Sequence, residues 1–150
     1  MYVENRAKLT SGPQLAKYVS GGRGIVTLES PSGKHHTYEF RRPNDESAFP
    51  NTTFFVYVLV KEHTWMYVGM YNSGTKHFRL TRASTYRHDS EIVKGVKYLT
   101  KLARCLGSID DFRMSAYHEG ICSVCGRRLT SPKSIQTGMG PHCRRVLCLQ

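Results

Sequence analysis

Three of the five cysteines and two of the seven histidines crowd into residues 118–143 of this 150-residue chain. Cys122 and Cys125 form a C-x-x-C pair followed at once by Gly126, the form of a tight knuckle that aims two thiolates at one point. Cys143 supplies a third sulfur from what Pro141 marks as the first turn of a short helix. Three thiolates and one further donor make a closed tetrahedral site, which suits structural zinc. Three residues compete for the fourth position. His118 stands before the pair with three residues between, Cys148 lies one helical turn past Cys143, and His142 is adjacent to Cys143, where two neighbouring side chains seldom reach one ion. Their order of preference on spacing is His118, Cys148, His142. A redox dithiol would need a strand-to-helix context that is missing here. A catalytic zinc would need an open position and a base, and only Glu119 offers a carboxylate inside the segment. Cys105 falls on the apolar side of a helix, as a small core residue.

Charge narrows the class of partner. The chain carries 22 Lys/Arg against 11 Asp/Glu, a net charge of +11 and a pI near 9.7. The excess is uneven: residues 75–104 are net +6, and residues 121–150 are net +5 with no acid at all. A field of that sign attracts nucleic acid or an acidic protein. The longest apolar run, Phe54 to Val60, is far short of the roughly 20 residues that span a bilayer, and no membrane partner is expected. Met1 to Arg6 has no apolar signal region behind it. An odd number of cysteines suits metal-bound or free thiols in a reducing compartment better than a disulfide framework.

The elements that must hold the cysteines read as a sheet and a helix. Residues 1–10 lack a period and are expected to be a loose or docking N-terminus. Ser11-Gly12-Pro13 caps a short helix over Gln14 to Val19, stopped by Gly21-Gly22. Gly24–Glu29 and His35–Arg41 form a hairpin around Ser30-Pro31-Ser32-Gly33, and Arg42 to Ser47 is a polar break. Phe54–Val60 is apolar on both faces, as a central strand is. Trp65–Tyr71 has two faces, with Trp65, Tyr67 and Tyr71 expected together on one. His77–Arg82 is the fifth strand. Five strands on short turns predict an antiparallel meander. From Ile92 the period becomes helical: Ile92, Val96, Leu99, Ala103 and Leu106 share one face, Lys94, Lys97, Lys101 and Arg104 another, and Gly107 is the expected stop. The predicted fold is therefore α+β: residues 1–117 as a five-stranded antiparallel sheet covered by an amphipathic helix, then residues 118–150 as a zinc-knuckle module of zinc-ribbon or treble-clef type.

The pattern His118-Glu119-Gly120-x-Cys122-x-x-Cys125-Gly126-Arg127-x-Leu129-Thr130-x-Pro132-x-Ser134-Ile135-x-x-Gly138-x-Gly140-Pro141-x-Cys143 resembles a zinc-finger-like domain of unknown function common in bacteriophage and actinobacterial proteins. Phe54 to Leu59, Tyr67-Val68-Gly69 and Phe78 to Thr81 resemble the strands that precede the finger in phage members. The resemblance includes the H-E-G-x-C opening and so favours His118, Cys122, Cys125 and Cys143 as the zinc set. It implies a phage or prophage protein acting in a bacterial cytoplasm, and it implies no activity.

Two functions compete. The first is a non-enzymatic nucleic-acid-binding (DNA or RNA) protein. It would use the helix cations Lys94, Lys97, Lys101 and Arg104, the finger pairs Arg127-Arg128 and Arg144-Arg145, and the aromatic residues Trp65, Tyr67 and Tyr71. The second is an inhibitor or adaptor docking an acidic host protein. A flat basic-aromatic sheet face would favour the first, an uncharged apolar patch the second. No enzyme is expected, and no small-molecule substrate: the carboxylates do not cluster for magnesium, and His35-His36 and His88 stand alone.

Overall fold

A computed structural model describes residues 1–44 and 48–148. It contains one antiparallel sheet of seven strands in the order β1-β7-β2-β3-β4-β5-β6. The meander comprises β2 (Arg23–Glu29), β3 (His35–Arg41), β4 (Thr53–Lys61), β5 (Thr64–Asn72) and β6 (His77–Leu80). Those are the five expected strands. Two short ones extend the β2 edge: β7 (Ser115–His118) pairs with β2, and β1 (Ala7–Leu9) pairs with β7. Of the two possibilities for the N-terminus, loose or docking, the structure shows docking, as a strand. Three or four residues are too few to show a period, so both strands exist because a neighbour offers an edge to pair with. The expected 117/118 boundary falls inside β7, and residues 45–47 of the expected polar break lie outside the described residues.

Helices α1 (Gly12–Val19) and α2 (Glu91–Ala103) pack on one side of the sheet. Both start where the caps predict: Ser11 Oγ accepts the Gln14 N–H at 3.2 Å and Ser90 Oγ accepts the Val93 N–H at 3.3 Å. The core lies between the layers, with Val26, Leu28, Tyr38, Phe40, Val56 and Val58 of the sheet against Leu15, Tyr18, Val96, Leu99 and Leu102 of the helices. The last turn of α2 departs from expectation. The helix ends at Ala103, and Leu106, expected on its apolar face, is 92% exposed.

Gly95 seats α2. Tyr38 Oη donates to the Ile92 carbonyl at 2.7 Å, and a Cβ on Gly95 would lie 2.3 Å from that same oxygen. Only a residue without a side chain lets the helix come this close. Gly95→Ala is expected to cost about 2 kcal/mol and to lower Tm by about 5 °C in a thermal unfolding scan.

The strand β5 changes face midway. Tyr57 pairs with Tyr67 but Val56 pairs with Gly69, so Val68 is an extra residue in a bulge. A one-residue slip sends every later side chain to the opposite face. Met70 therefore comes level with Phe55, and Tyr71 comes level with Phe54. Tyr71 is 1% exposed and packs edge-on against Phe40. It does not share a face with Trp65 and Tyr67.

Candidate metal centre

Residues 120–129 fold as a short hairpin that closes on the cysteine pair. Leu129 donates its N–H to Gly120 O at 2.9 Å, Cys122 N–H reaches Arg127 O at 2.8 Å, and Gly126 N–H returns to Cys122 O at 3.0 Å. Gly126 sits at φ +77°, a left-handed position that the turn after the pair requires and a side chain would strain. Beyond the hairpin, α3 (Pro132–Thr137) and α4 (Pro141–Cys148) bring the third cysteine back. Ser123 N–H donates to Gly138 O at 3.1 Å, tying the knuckle to the loop that opens α4. Cys143 stands in the first turn of α4.

The Sγ atoms of Cys122, Cys125 and Cys143 lie within 4.8 Å of one another. Cys122 is fully buried and Cys143 nearly so, over a small apolar cluster with Leu129 and Met139. Burial raises the pKa of Cys122, but backbone N–H donors from Cys125, Gly140 and Val124 outweigh it and the net shift is downward. Val124 N–H approaches Cys122 Sγ at 3.4 Å. Burial and the two neighbouring sulfurs push Cys143 up to about 12. Three thiols this close, one of them favoured as thiolate, repel as anions and are relieved by a cation between them. The donor set therefore fits a metal ion. The three sulfurs open on a cleft that is also lined by Arg127, Arg128, Gly140 and His142.

His118 does not join them. It ends β7 on the core side, fully buried, with its ring stacked on Tyr18 at 5.6 Å between centroids. Gly120 N–H donates to its Nδ1 at 3.1 Å, which leaves the proton on Nε2 to donate to the Ile135 carbonyl. Both nitrogens are occupied, so the ring acts as a strut between sheet and finger. Its place four residues before the pair falls on a strand rather than on the knuckle, and spacing alone does not separate those two cases. Of its two rivals, His142 lines the cysteine cleft, and the side chain of Cys148 lies outside the described residues.

Burial lowers the pKa of His118, partly countered by the Ile135 carbonyl and Glu119. A depressed histidine binds fewer protons folded than unfolded, so its contribution to stability is complete above the unfolded value near 6.5 and declines as pH falls below it. His118→Ala is expected to cost about 3 kcal/mol in a urea titration, from a cavity and two orphaned backbone groups. Metal content per chain should not change; its loss in this variant would restore His118 as a ligand.

The finger is sewn to the sheet at several points. Tyr18 Oη donates to Ile121 O at 2.9 Å, Arg23 N–H donates to Ser123 O at 2.7 Å, and Tyr2 N–H donates to Glu119 O at 3.0 Å. Asn5 Nδ2 donates to the Leu129 carbonyl. Glu119 accepts from Thr27 Oγ1 at 2.9 Å and faces Arg6 Nε at 3.0 Å. Its carboxylate is thus engaged in joining β2 and the N-terminus to the finger.

The expected nucleic-acid residues divide between two sides of the sheet. Lys94, Lys97 and Lys101 are exposed on α2. Arg104 is half-buried and its Nη1 donates to the Lys76 carbonyl at 2.7 Å, so it latches α2 to the β6 end of the sheet. Arg127 and Arg145 are exposed. Arg128 pairs with Glu4 at 2.6 Å and lies over the Tyr2 ring, and Arg144 Nη1 contacts Thr137 Oγ1 at 3.4 Å. Between α2 and the finger lies α1, whose Lys17 is exposed. Trp65 and Tyr67 lie on the opposite face of the sheet, the one away from α1 and α2. There Tyr57 and Phe55 pack edge-on around Tyr67, and the Arg41 guanidinium sits 3.9 Å over the Tyr57 ring. Exposed Arg79 reaches Met70 Sδ at 3.5 Å on the same face. Phe55, Tyr57 and Arg41 were not among the expected site residues. Their alternation along β3 and β4 was the available signal, masked because β4 is apolar on both faces.

Residues 112–147 match a family of unknown function (DUF6011). The match spans β7, the knuckle, the three cysteines and most of α4. The C-terminal part of the chain is thus similar to an uncharacterised domain with a cysteine cluster able to hold a metal ion. No curated protein and no solved structure matches the chain. No described helix is long and apolar enough to cross a membrane.

Proposed function

We propose that this is a non-enzymatic, zinc-stapled nucleic-acid-binding protein of phage type, acting in a bacterial cytoplasm. Zinc is the metal that best suits three clustered, mostly buried thiolates. One observation carries the binding reading. Lys94, Lys97, Lys101, Arg127 and Arg145 are exposed, and none takes part in an ion pair among the described residues. Of the six ion pairs among the described residues, five hold the N-terminus, the finger edge and the open sheet face, and the sixth, Arg87–Asp89, lies just before α2. Unneutralised cations on the helical side are available to phosphates, whose condensed counterions they release.

The open sheet face supports a second contact for the same partner. Trp65, Tyr67 and Tyr57 with Arg41 and Arg79 make a basic-aromatic surface, the type on which unpaired bases stack.

Mobility-shift titrations with single- and double-stranded DNA and RNA at low salt test the proposal. A retarded complex is expected with at least one of the four. No complex with any of them removes the reading and leaves the acidic-protein alternative. Trp65 is the single tryptophan, so quenching of its emission by a single-stranded oligonucleotide reports contact with the sheet face. Binding without quenching would confine the partner to the helical side.

A further inference from the structure

The hairpin turn between β2 and β3, the flank of α2 and the residues before β7 enclose two adjoining clefts of about 280 and 520 Å³ that share Ser30, Lys34, Tyr98 and Met114. Their common wall carries Tyr98 and Met114, and Leu28 and Gly95 add to the wall of the smaller cleft. Cations stand at the rim: Lys34 and Lys94 on the smaller cleft, Lys34 and Arg113 on the larger. Among the described residues none of these three forms an ion pair or a side-chain hydrogen bond, and one acid, Glu91, faces them. His36 enters the smaller cleft as a neutral ring, because burial lowers its pKa.

We infer that this double cleft is a nucleotide site, taking one aromatic base against Tyr98 and Met114 and its phosphate at Lys34 and Arg113. Four properties point to that ligand. The smaller cleft has the volume of one ring system rather than of an extended chain. Its wall offers one aromatic ring and one thioether, both good partners for a flat π face. Glu91, His36 and Ser30 supply acceptors and donors for a base edge or ribose hydroxyls. The surplus of two positive charges matches a phosphate monoester or diester. The site shares Lys94 with the α2 cations of the polymer-binding reading, but Lys34 and Arg113, which would hold the phosphate, belong to neither the α2 nor the finger set. The nucleotide can be free or part of a strand, and both present the same base-plus-phosphate chemistry.

Isothermal titration and NMR shift mapping of the full chain with the four 5′-mononucleotides, a nucleoside, ribose 5-phosphate and a tetranucleotide test this. At least one mononucleotide should bind saturably, moving the amides of Lys34, His36, Tyr98 and Met114. Lys34→Glu and Arg113→Ala should each weaken it about tenfold, as expected for removal of a charged partner. Tyr98→Leu should weaken the mononucleotide but not ribose 5-phosphate. Competition by the tetranucleotide at the same amides identifies a nucleotide within a strand; exclusion of the tetranucleotide identifies a free one. The inference fails if ribose 5-phosphate binds as tightly as the mononucleotides, if Lys34→Glu leaves affinity unchanged, or if the shifts fall on the finger or the outer face of α2. Loss of polymer binding on reversing α2 charges, with mononucleotide affinity kept through Lys34→Glu, would overturn this site while sparing the function proposed above.

Discussion

Cys125→Ser should release the metal and unfold the finger together with the strand pair that holds it. Wild-type protein is expected to carry one zinc per chain by elemental analysis, and the variant none. A structural zinc in a segment of this size contributes on the order of 10 kcal/mol of apparent binding energy to folding. The small cluster of Leu129, Met139 and Cys143 with Cys122 is far too little apolar surface to replace it. The damage should spread along the bonds from Asn5 to Leu129 and from Tyr2 to Glu119, because among the described residues β1 has no other strand partner than β7. Hydrogen exchange should therefore show protection lost over residues 1–9 and 120–145 while β3, β4, β5 and α2 stay protected. A variant with native exchange and full metal content would remove the cysteines from the site.

Reversing Lys94, Lys97 and Lys101 together to Glu should weaken nucleic-acid binding by about 100-fold or more at 50 mM salt, with no loss of fold. Each side chain is exposed and none is paired among the described residues, so stability should stay within about 0.5 kcal/mol per site. Every phosphate that the variant no longer neutralises keeps its condensed counterion, which lowers the salt dependence by roughly one ion. The slope of log K against log salt should therefore shrink by about 2 to 3. Fluorescence anisotropy at several salt concentrations reads both effects. Unchanged affinity would place binding on the sheet face or the finger instead.

The reach of the sequence can be judged from particular elements. The meander and α2 were legible because each carries its own period and its own punctuation: alternation in β3, an apolar run in β4, Ser90 before a 3.6-residue repeat. The knuckle was legible because C-x-x-C-G is a local geometry. What was hidden depends on partners distant in the chain. β1 and β7 are strands only through each other and β2. The bulge at Val68 moved Tyr71 into the core, and nothing in an alternating strand announces an extra residue. His118 has the type and spacing of a ligand, but its ring is committed to Gly120, Ile135 and Tyr18, three partners that only the folded chain brings together. Gly95 was one residue of a helical run until Tyr38 made it necessary. The basic residues do not form one surface: Arg104 is a latch, Arg128 is paired with Glu4, and the aromatic group sits across the sheet from the lysines.

That division between two faces makes the helical side the principal claim, since charge there is both concentrated and unspent. The most direct test is the affinity of the wild-type protein for nucleic acid as a function of salt. With about five free cations on α2 and the finger, log K should fall linearly with log salt with a slope of about −4. Binding absent at low salt, or binding that does not change with salt, would contradict the account.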